Sequence, residues 1–523
     1  MLHKLKELSK DSAIYGLGDV AVSIVNFLLL PLYVRYLTDV DYGILAQLGA
    51  VEVLTKIVAR WGLDGSFMRF FYDSPGREDR QRLASSIFFF LLFSNGVLLL
   101  ASMLGSRWLA SALYSEEGTT ALRLVLVNTL VMSFTFLPFH VLRMEKRAIE
   151  YSLLTLARSV VTVVLRLVLI VGFGQGVLGV VLADMIVTAI LMLVLARHFV
   201  PLIRPVFSAD ILRQSLRFGL PRLPHAAAQQ VIAVADKLIL PMFRSLGELG
   251  VYSMGVSFGL TLKLFLSAFE SAWAPFYYAT AREPGAAEVF RTVTTYGVAA
   301  LVFLAAALSA TARDLLDLMT KGRFLDSAPV VAWTSLAVLF QGVYLLTSIG
   351  LNLTKRTEYY PVATIAAAIA NVALNFVLIP RYGMMGAAWA NAAAYALQTA
   401  IAFRFSQRFY PLHYEYGRLA RITIAGVVAF LAGWLLPDLP ALAAVVLRPA
   451  TVVAVFGGLL WMSGFFNAAE LATLARVRRQ VSARTTPPMP SPDSTELAGE
   501  IISTDVPVDR IETEPTVDPR PRR

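Results

Sequence analysis

The chain has 523 residues, 57% of them hydrophobic and 16% charged, with a mean hydropathy of +0.64. That composition excludes a string of soluble domains, and the absence of cysteine excludes disulfides, thiolate nucleophiles and Cys-ligated metals. The formal charge of +10 does not mark a nucleic-acid binder, because the basic residues fall mostly in alternate loops between apolar stretches.

About fourteen apolar segments, each roughly twenty residues long, run from Ser12 to about Phe466. A helix needs ~20 residues to cross a ~30 Å hydrocarbon core. Open sheets would leave backbone edges unpaired in lipid, and barrel strands are ~10 residues with alternating polarity. The chain therefore reads as an all-α polytopic membrane protein. The predicted helices span 12–36, 42–61, 83–105, 120–141, 151–172, 177–197 and 213–240, then 248–273, 288–310, 328–353, 359–380, 385–404, 419–437 and 440–463. Lys4, Lys6 and Lys10 precede a first segment without a small-residue cleavage site, which reads as a retained helix. One set of loops carries Arg69, Arg77, Arg80 and Arg82, then Arg143, Lys146 and Arg147, then Arg204, Arg213 and Arg217, and later Lys355, Arg356, Arg408 and Arg418. The loops 37–41, 173–176 and 437–440 have no basic residue, and in 311–327 acidic residues balance the basic ones. The positive-inside rule then puts both termini in the cytoplasm. The five histidines, His3, His140, His198, His225 and His413, show no metal-ligand spacing.

After the last segment, Glu470–Arg484 reads as a short basic amphipathic helix at the membrane surface. The Pro-, Thr- and acid-rich stretch from about Arg484 reads as a disordered tail, with too little apolar area to offset ordering entropy.

An internal repeat is visible. Gly176-Val-Leu-Gly179 and Asp184 match Gly383-Met-Met-Gly386 and Asn391 at a spacing of 207 residues. Lys146-Arg147 echoes Lys355-Arg356, Phe70-Phe71-Tyr72 echoes Phe276-Tyr277-Tyr278, and Tyr15-Gly16 echoes Phe218-Gly219. Two six-helix bundles follow, 1–205 and 206–410, with two additional helices in 411–466 and a cytoplasmic segment 467–523. Six is even, so the halves share one orientation, as in transporters with parallel repeats and a site between them.

Several motifs carry a family resemblance: Tyr36-Leu37-Thr38-Asp39-Val40-Asp41-Tyr42-Gly43, Phe218-Gly219-Leu220-Pro221-Arg222-Leu223-Pro224, Leu246-Gly247-Glu248-Leu249-Gly250, and Asn371 and Asn375 followed by Pro380 and Gly383. Over about residues 10–410 the chain resembles the Wzx-type oligosaccharide and polysaccharide flippases of the multidrug/oligosaccharidyl-lipid/polysaccharide exporter (MOP) superfamily. The resemblance implies a MATE-like pair of bundles around a central cavity lined by the first, second, seventh and eighth helices. It implies a polyprenyl-pyrophosphate glycan as cargo, a bacterial inner membrane, and O-antigen, capsule or exopolysaccharide export.

Charged side chains at membrane depth are costly and normally face a cavity or a partner. Glu52, Lys56 and Arg60 recur every four residues on one face of the second helix, where Glu52 and Lys56 can pair. Lys56, Arg60, Arg222 and Lys263 are the candidate cavity cations for the pyrophosphate. Asp19, Glu52 and Glu270 are the candidates for charge balance or for coupling to a proton or sodium ion. Arg158 and Arg166, two turns apart, read as structural, as do Asp236 and Lys237, paired across a turn. Pro221, Pro224, Pro241 and Pro275 are expected to kink or end the seventh and eighth helices. The reading is a flippase without covalent chemistry, metal or nucleic-acid partner, working among membrane lipids and polysaccharide polymerase or export proteins. Its rivals are a MATE-like ion-coupled multidrug exporter, which would want an acidic cavity, and a non-transporting envelope-assembly scaffold.

Overall fold

Long helices dominate the described residues, because a helix is the open-chain structure that satisfies its backbone internally in hydrocarbon. A computed structural model describes residues 30–74, 76–113 and 118–467. Asp19, the amphipathic stretch and the tail lie outside the described residues. In chain order the helices are α1 Leu30–Tyr36, α2 Asp39–Arg60, α3 Leu63–Asp73, α4 Arg77–Leu113, α5 Gly118–Met132, α6 Phe136–Met144, α7 Ala148–Leu167 and α8 Gly176–Phe199. There follow α9 Ala209–Gly219, α10 Leu223–Phe243, α11 Leu246–Gly259, α12 Leu262–Thr280, α13 Ala286–Thr320, α14 Ala328–Thr347, α15 Ile349–Leu353, α16 Tyr359–Tyr382, α17 Met384–Phe409, α18 Tyr416–Trp434 and α19 Ala441–Met462. The described residues up to Ser463 belong to one compact unit.

Eleven helical stretches among the described residues are long and apolar enough to cross a membrane, or twelve if α11 and α12 form one bent span. The chain is thus a multi-pass membrane protein. Of the fourteen expected helices, the first lies mostly outside the described residues. The 385–404 segment is a helix, α17, but is not among the eleven; Asn391 and Gln398 lower its hydropathy. The 43° bend between α11 and α12 falls at Leu260–Thr261, not at a proline. Gly259 ends α11 there, and the Thr261 hydroxyl donates to the Phe258 carbonyl at 2.7 Å. Pro241 and Pro275 sit inside α10 and α12. Helix α3, not separated in the sequence reading, buries Leu63, Phe67 and Phe71 against Ile87, Leu91 and Phe136.

The repeat has structural counterparts. Thr38 caps α2 by accepting from the Asp41 amide, and Ser245, 207 residues later, caps α11 by accepting from the Glu248 amide. Lys146 and Lys355 both take a left-handed backbone, at φ 57° and 59°. In each turn the next residue's amide reaches back five residues, Arg147 to the Leu142 carbonyl at 2.9 Å and Arg356 to Leu351 at 2.8 Å. Gly176 and Gly383 are both at positive φ, 49° and 57°.

Helices α2 and α11 meet backbone to backbone. A methyl group on Gly43 would collide with the Leu246 carbonyl, and one on Gly250 with the Asp39 carbonyl. The contact is reciprocal, since Asp39 and Gly43 correspond to Leu246 and Gly250 at the same spacing of 207. A glycine in each helix, with no side chain at the crossing, lets membrane helices approach this closely.

Helices α18 and α19 are tied on by a buried ion pair. Arg448 Nε lies 2.7 Å from Asp314 Oδ2, with side chains only 7% and 11% exposed. Arg448 Nη1 also donates to the carbonyls of Gly433 and Trp434, at 2.8 and 3.1 Å. Leaving one charge of such a pair alone costs about 3–5 kcal/mol. Asp314→Ala should therefore lower the melting temperature of the purified protein strongly. The double variant Asp314→Leu/Arg448→Met should melt close to wild type, as measured by thermal unfolding in detergent.

Candidate functional site

A cavity of about 260 Å³ lies along the seam where α2 faces α11. Tyr33, Leu37, Tyr42, Leu45 and Ala46 line it from α1, the turn after it and α2, and Ser253, Met254 and Ser257 from α11. Two cations reach it from different helices, Arg166 on α7 and Lys237 on α10. The expected lining by the first, second, seventh and eighth segments is met, with Arg166 and Val180 added from the fifth and sixth.

Arg166 is held in place by a fork onto Asp184 of α8, Nε to Oδ1 at 3.1 Å and Nη2 to Oδ2 at 2.8 Å. This matches the planar geometry guanidinium offers a carboxylate. Just beyond Arg166 the helix widens into a π-turn at Val168–Gly172. Lys237 forms no ion pair among the described residues, and the expected Asp236–Lys237 pair is not made. Asp236, 1% exposed, turns into the bundle instead and accepts from the Tyr252 hydroxyl and, at 3.4 Å, from the Asn391 amide. Successive residues on a helix point about 100° apart, so the carboxylate can be buried while the ammonium faces the cavity. Tyr42 Oη and Ser253 Oγ, both on the cavity wall, are buried without a hydrogen-bond partner. Orphan hydroxyls beside two cations suit an oxygen-rich anion.

The four cations singled out from sequence are not gathered in this cavity. Lys56 pairs with Glu52 on α2, ten residues or about 15 Å along the helix from Ala46. Arg60 Nη1 is 3.3 Å from Asp64 Oδ2, with its guanidinium 5.8 Å from the Phe136 ring. Arg222 is exposed and lies 4.3 Å over the Phe218 ring. Lys263 follows the 260–261 bend, with Lys237 and Glu270 as its charged neighbours. Together these cations extend along the seam from the cavity toward the Arg60 end. Arg166 and Lys237 were visible as intramembrane charges; their convergence depends on helix packing that no local motif records.

The seam is bridged near both ends. At one end Arg323 Nη1 donates to the Val34 carbonyl at 2.6 Å and Nη2 meets Asp39 Oδ1 at 2.9 Å, beside an edge-on contact of Tyr42 with Phe324. At the other end a methyl group on Gly62 would come within 2.7 Å of the Gly219 carbonyl oxygen, and one on Gly219 within 2.5 Å of that of Gly62.

Residues 8–278, more than half of the chain, match the polysaccharide biosynthesis protein family. The chain belongs to that family. Protein 1 of the Lsg locus of Haemophilus influenzae is 23% identical over 287 residues, and an uncharacterized membrane protein of the same organism 23% over 285. These matches cover 51% and 52% of this chain and 65% of each relative, so the chain spans less than two thirds of the curated relatives it matches. Among solved structures, lipid II flippase MurJ in an inward closed conformation superposes with a TM-score of 0.66 at 14% identity, covering 87% of this chain and 100% of that one. An inward-facing MATE family transporter of the MOP superfamily gives 0.58 at 14% identity, covering 79% and 96%. This family member therefore has the MurJ- and MATE-like fold, and the resemblance drawn from its motifs holds for family and fold.

Arg323 supplies two charge-assisted hydrogen bonds across the seam, to the Val34 carbonyl and the Asp39 carboxylate, each worth about 1–3 kcal/mol. With no native cysteine, a Ser253→Cys probe reports cavity access cleanly. Adding Arg323→Ala should speed maleimide labelling of that cysteine by about thirtyfold or more, measured by quenched labelling in proteoliposomes.

Proposed function

We propose that this protein is a flippase that carries a polyprenyl-pyrophosphate-linked oligosaccharide across the bacterial inner membrane for surface polysaccharide synthesis, by alternating access between two six-helix halves. The observation that supports this most directly is the single cavity holding Arg166 and Lys237 with the orphan hydroxyls of Tyr42 and Ser253. A pyrophosphate needs cations in a partly dry site; the outer edge of the Arg166 guanidinium, fixed from behind by Asp184, and the Lys237 ammonium supply them. The cavity is smaller than the ~300–1,000 Å³ of drug-sized sites, so in this closed state it suits a charged headgroup, and the glycan requires the seam to open. The polyprenyl tail stays in the bilayer, because only the headgroup loses water partners in hydrocarbon.

The reciprocal Gly43–Gly250 contact and the paired caps and turns support a two-fold relation between residues 1–205 and 206–410. Lys56 and Arg60, each beside an acidic partner, together with Arg222 and Lys263, then offer phosphate-binding side chains along the approach to the cavity. Glu52, Glu270 and Asp19 serve charge balance or the coupling ion, a proton or sodium, and Asp184 joins them. A multidrug exporter shares the fold, but a cavity with two cations suits an anionic cargo better than a cationic one.

In a strain lacking the protein, polyprenyl-pyrophosphate glycans should build up on the cytoplasmic face. Wild type should restore export, and Lys237→Ala, Lys56→Ala and Lys263→Ala should lower it, Lys237→Ala by about tenfold because one charge-assisted contact is lost. Unchanged pools with altered drug tolerance would favour the exporter. A silent Lys237→Ala with loss of surface polymer on deletion would favour a scaffold.

For orientation, we place the basic loops and both termini in the cytoplasm. Single cysteines at Thr357 and Pro437, both exposed, should then be labelled by a membrane-impermeant reagent from opposite faces, Pro437→Cys from the outside.

A further inference from the structure

A second cavity, of about 780 Å³, opens where α13 ends, α14 begins and the turn between α18 and α19 passes. It is separate from the seam and shares no lining residue with the first cavity. Its volume falls within the roughly 300–1,000 Å³ typical of small-ligand sites. Its floor is fixed: Arg448 is locked onto Asp314 and holds the carbonyls of Gly433 and Trp434, so the end of α18 cannot drift.

The wall chemistry is mixed in sign. Arg313, Asp326 and Asp438 all line the cavity. All three are exposed, and none makes an ion pair or hydrogen bond among the described residues. The indole rings of Trp333 and Trp434 line it too, 37% and 60% exposed. Tryptophan at the end of a membrane helix marks the headgroup level of a bilayer. Just beyond, Leu435, Leu442 and Val446 present apolar side chains that are 69%, 72% and 67% exposed. An unpaired guanidinium calls for phosphate, two unpaired carboxylates call for an ammonium, and the apolar flank calls for acyl chains. One abundant class of molecule carries all three.

We propose that this cavity binds the zwitterionic headgroup of an amine-bearing phospholipid of the phosphatidylethanolamine type. Arg313 takes the phosphate, Asp326 and Asp438 take the ammonium, and the acyl chains run down the outer face of α18 and α19. The site is independent of the cargo, so it stands or falls apart from the flippase reading.

The full-length protein, purified in detergent, is incubated with phosphatidylethanolamine, phosphatidylglycerol or phosphatidylcholine, and retained lipid is counted by native mass spectrometry. Phosphatidylethanolamine should be retained about tenfold more than phosphatidylglycerol, since charge-assisted hydrogen bonds to the ammonium are lost with the latter. Phosphatidylcholine has the charge but no N–H donor and should fall with phosphatidylglycerol. Asp438→Asn should abolish the preference, whereas Arg313→Gln should lower the retention of all three lipids, because they share the phosphate. Both side chains are exposed and unpaired, and melting curves verify that the variants fold; if either does not, the wild-type preference decides. Equal retention of phosphatidylethanolamine and phosphatidylglycerol overturns the proposal, as does an undiminished preference in folded Asp438→Asn or undiminished lipid retention in folded Arg313→Gln. Phosphatidylcholine retained as well as phosphatidylethanolamine would move recognition to the tryptophans and overturn the role of the carboxylates.

Discussion

A charge that this chain places at membrane depth needs either a partner in the chain or a cavity to face, because hydrocarbon offers it neither. Asp314 and Arg448 pair with each other, and Arg448 also holds two carbonyls, so together they act as a fastener between helices. Asp184 answers Arg166 on one side only, leaving the guanidinium edge on a cavity wall. Lys237 is answered by nothing described, and its neighbour Asp236 is spent on Tyr252 and Asn391. The degree to which a buried charge is satisfied thus separates the parts that hold the fold from the parts available to an anion.

The same constraint explains why the architecture was largely legible from sequence. Apolar length marked the helices, since a helix that crosses lipid has no other way to satisfy its backbone. Glu52 and Lys56 pair as their four-residue spacing implies. The repeat reappears as matched caps at Thr38 and Ser245 and matched left-handed turns at Lys146 and Lys355. These features are local, and local features survive in one dimension.

What stayed hidden depends on packing between distant segments. No periodicity connects Arg166 to Lys237, which share a cavity only because α7 and α10 approach the same stretch of α2 and α11. The bend after α11 was expected at prolines and came at Gly259 and Thr261, where a small residue meets Thr334 and a hydroxyl caps a carbonyl. Pro275 is accommodated within α12. Arg323 looked like one of several balanced loop charges, yet it reaches across the seam to Val34 and Asp39.

The glycine contact between α2 and α11 has a mechanical meaning. Where helices interlock through side chains, parting them means withdrawing each knob from its socket, one rotamer at a time. Gly43 and Gly250 leave no knob to withdraw where they cross, so at that point the two backbones meet as a plain bearing. A bearing of this kind needs a latch to hold position, and the guanidinium of Arg323, clipped to a carbonyl and a carboxylate of the facing elements, is built as one.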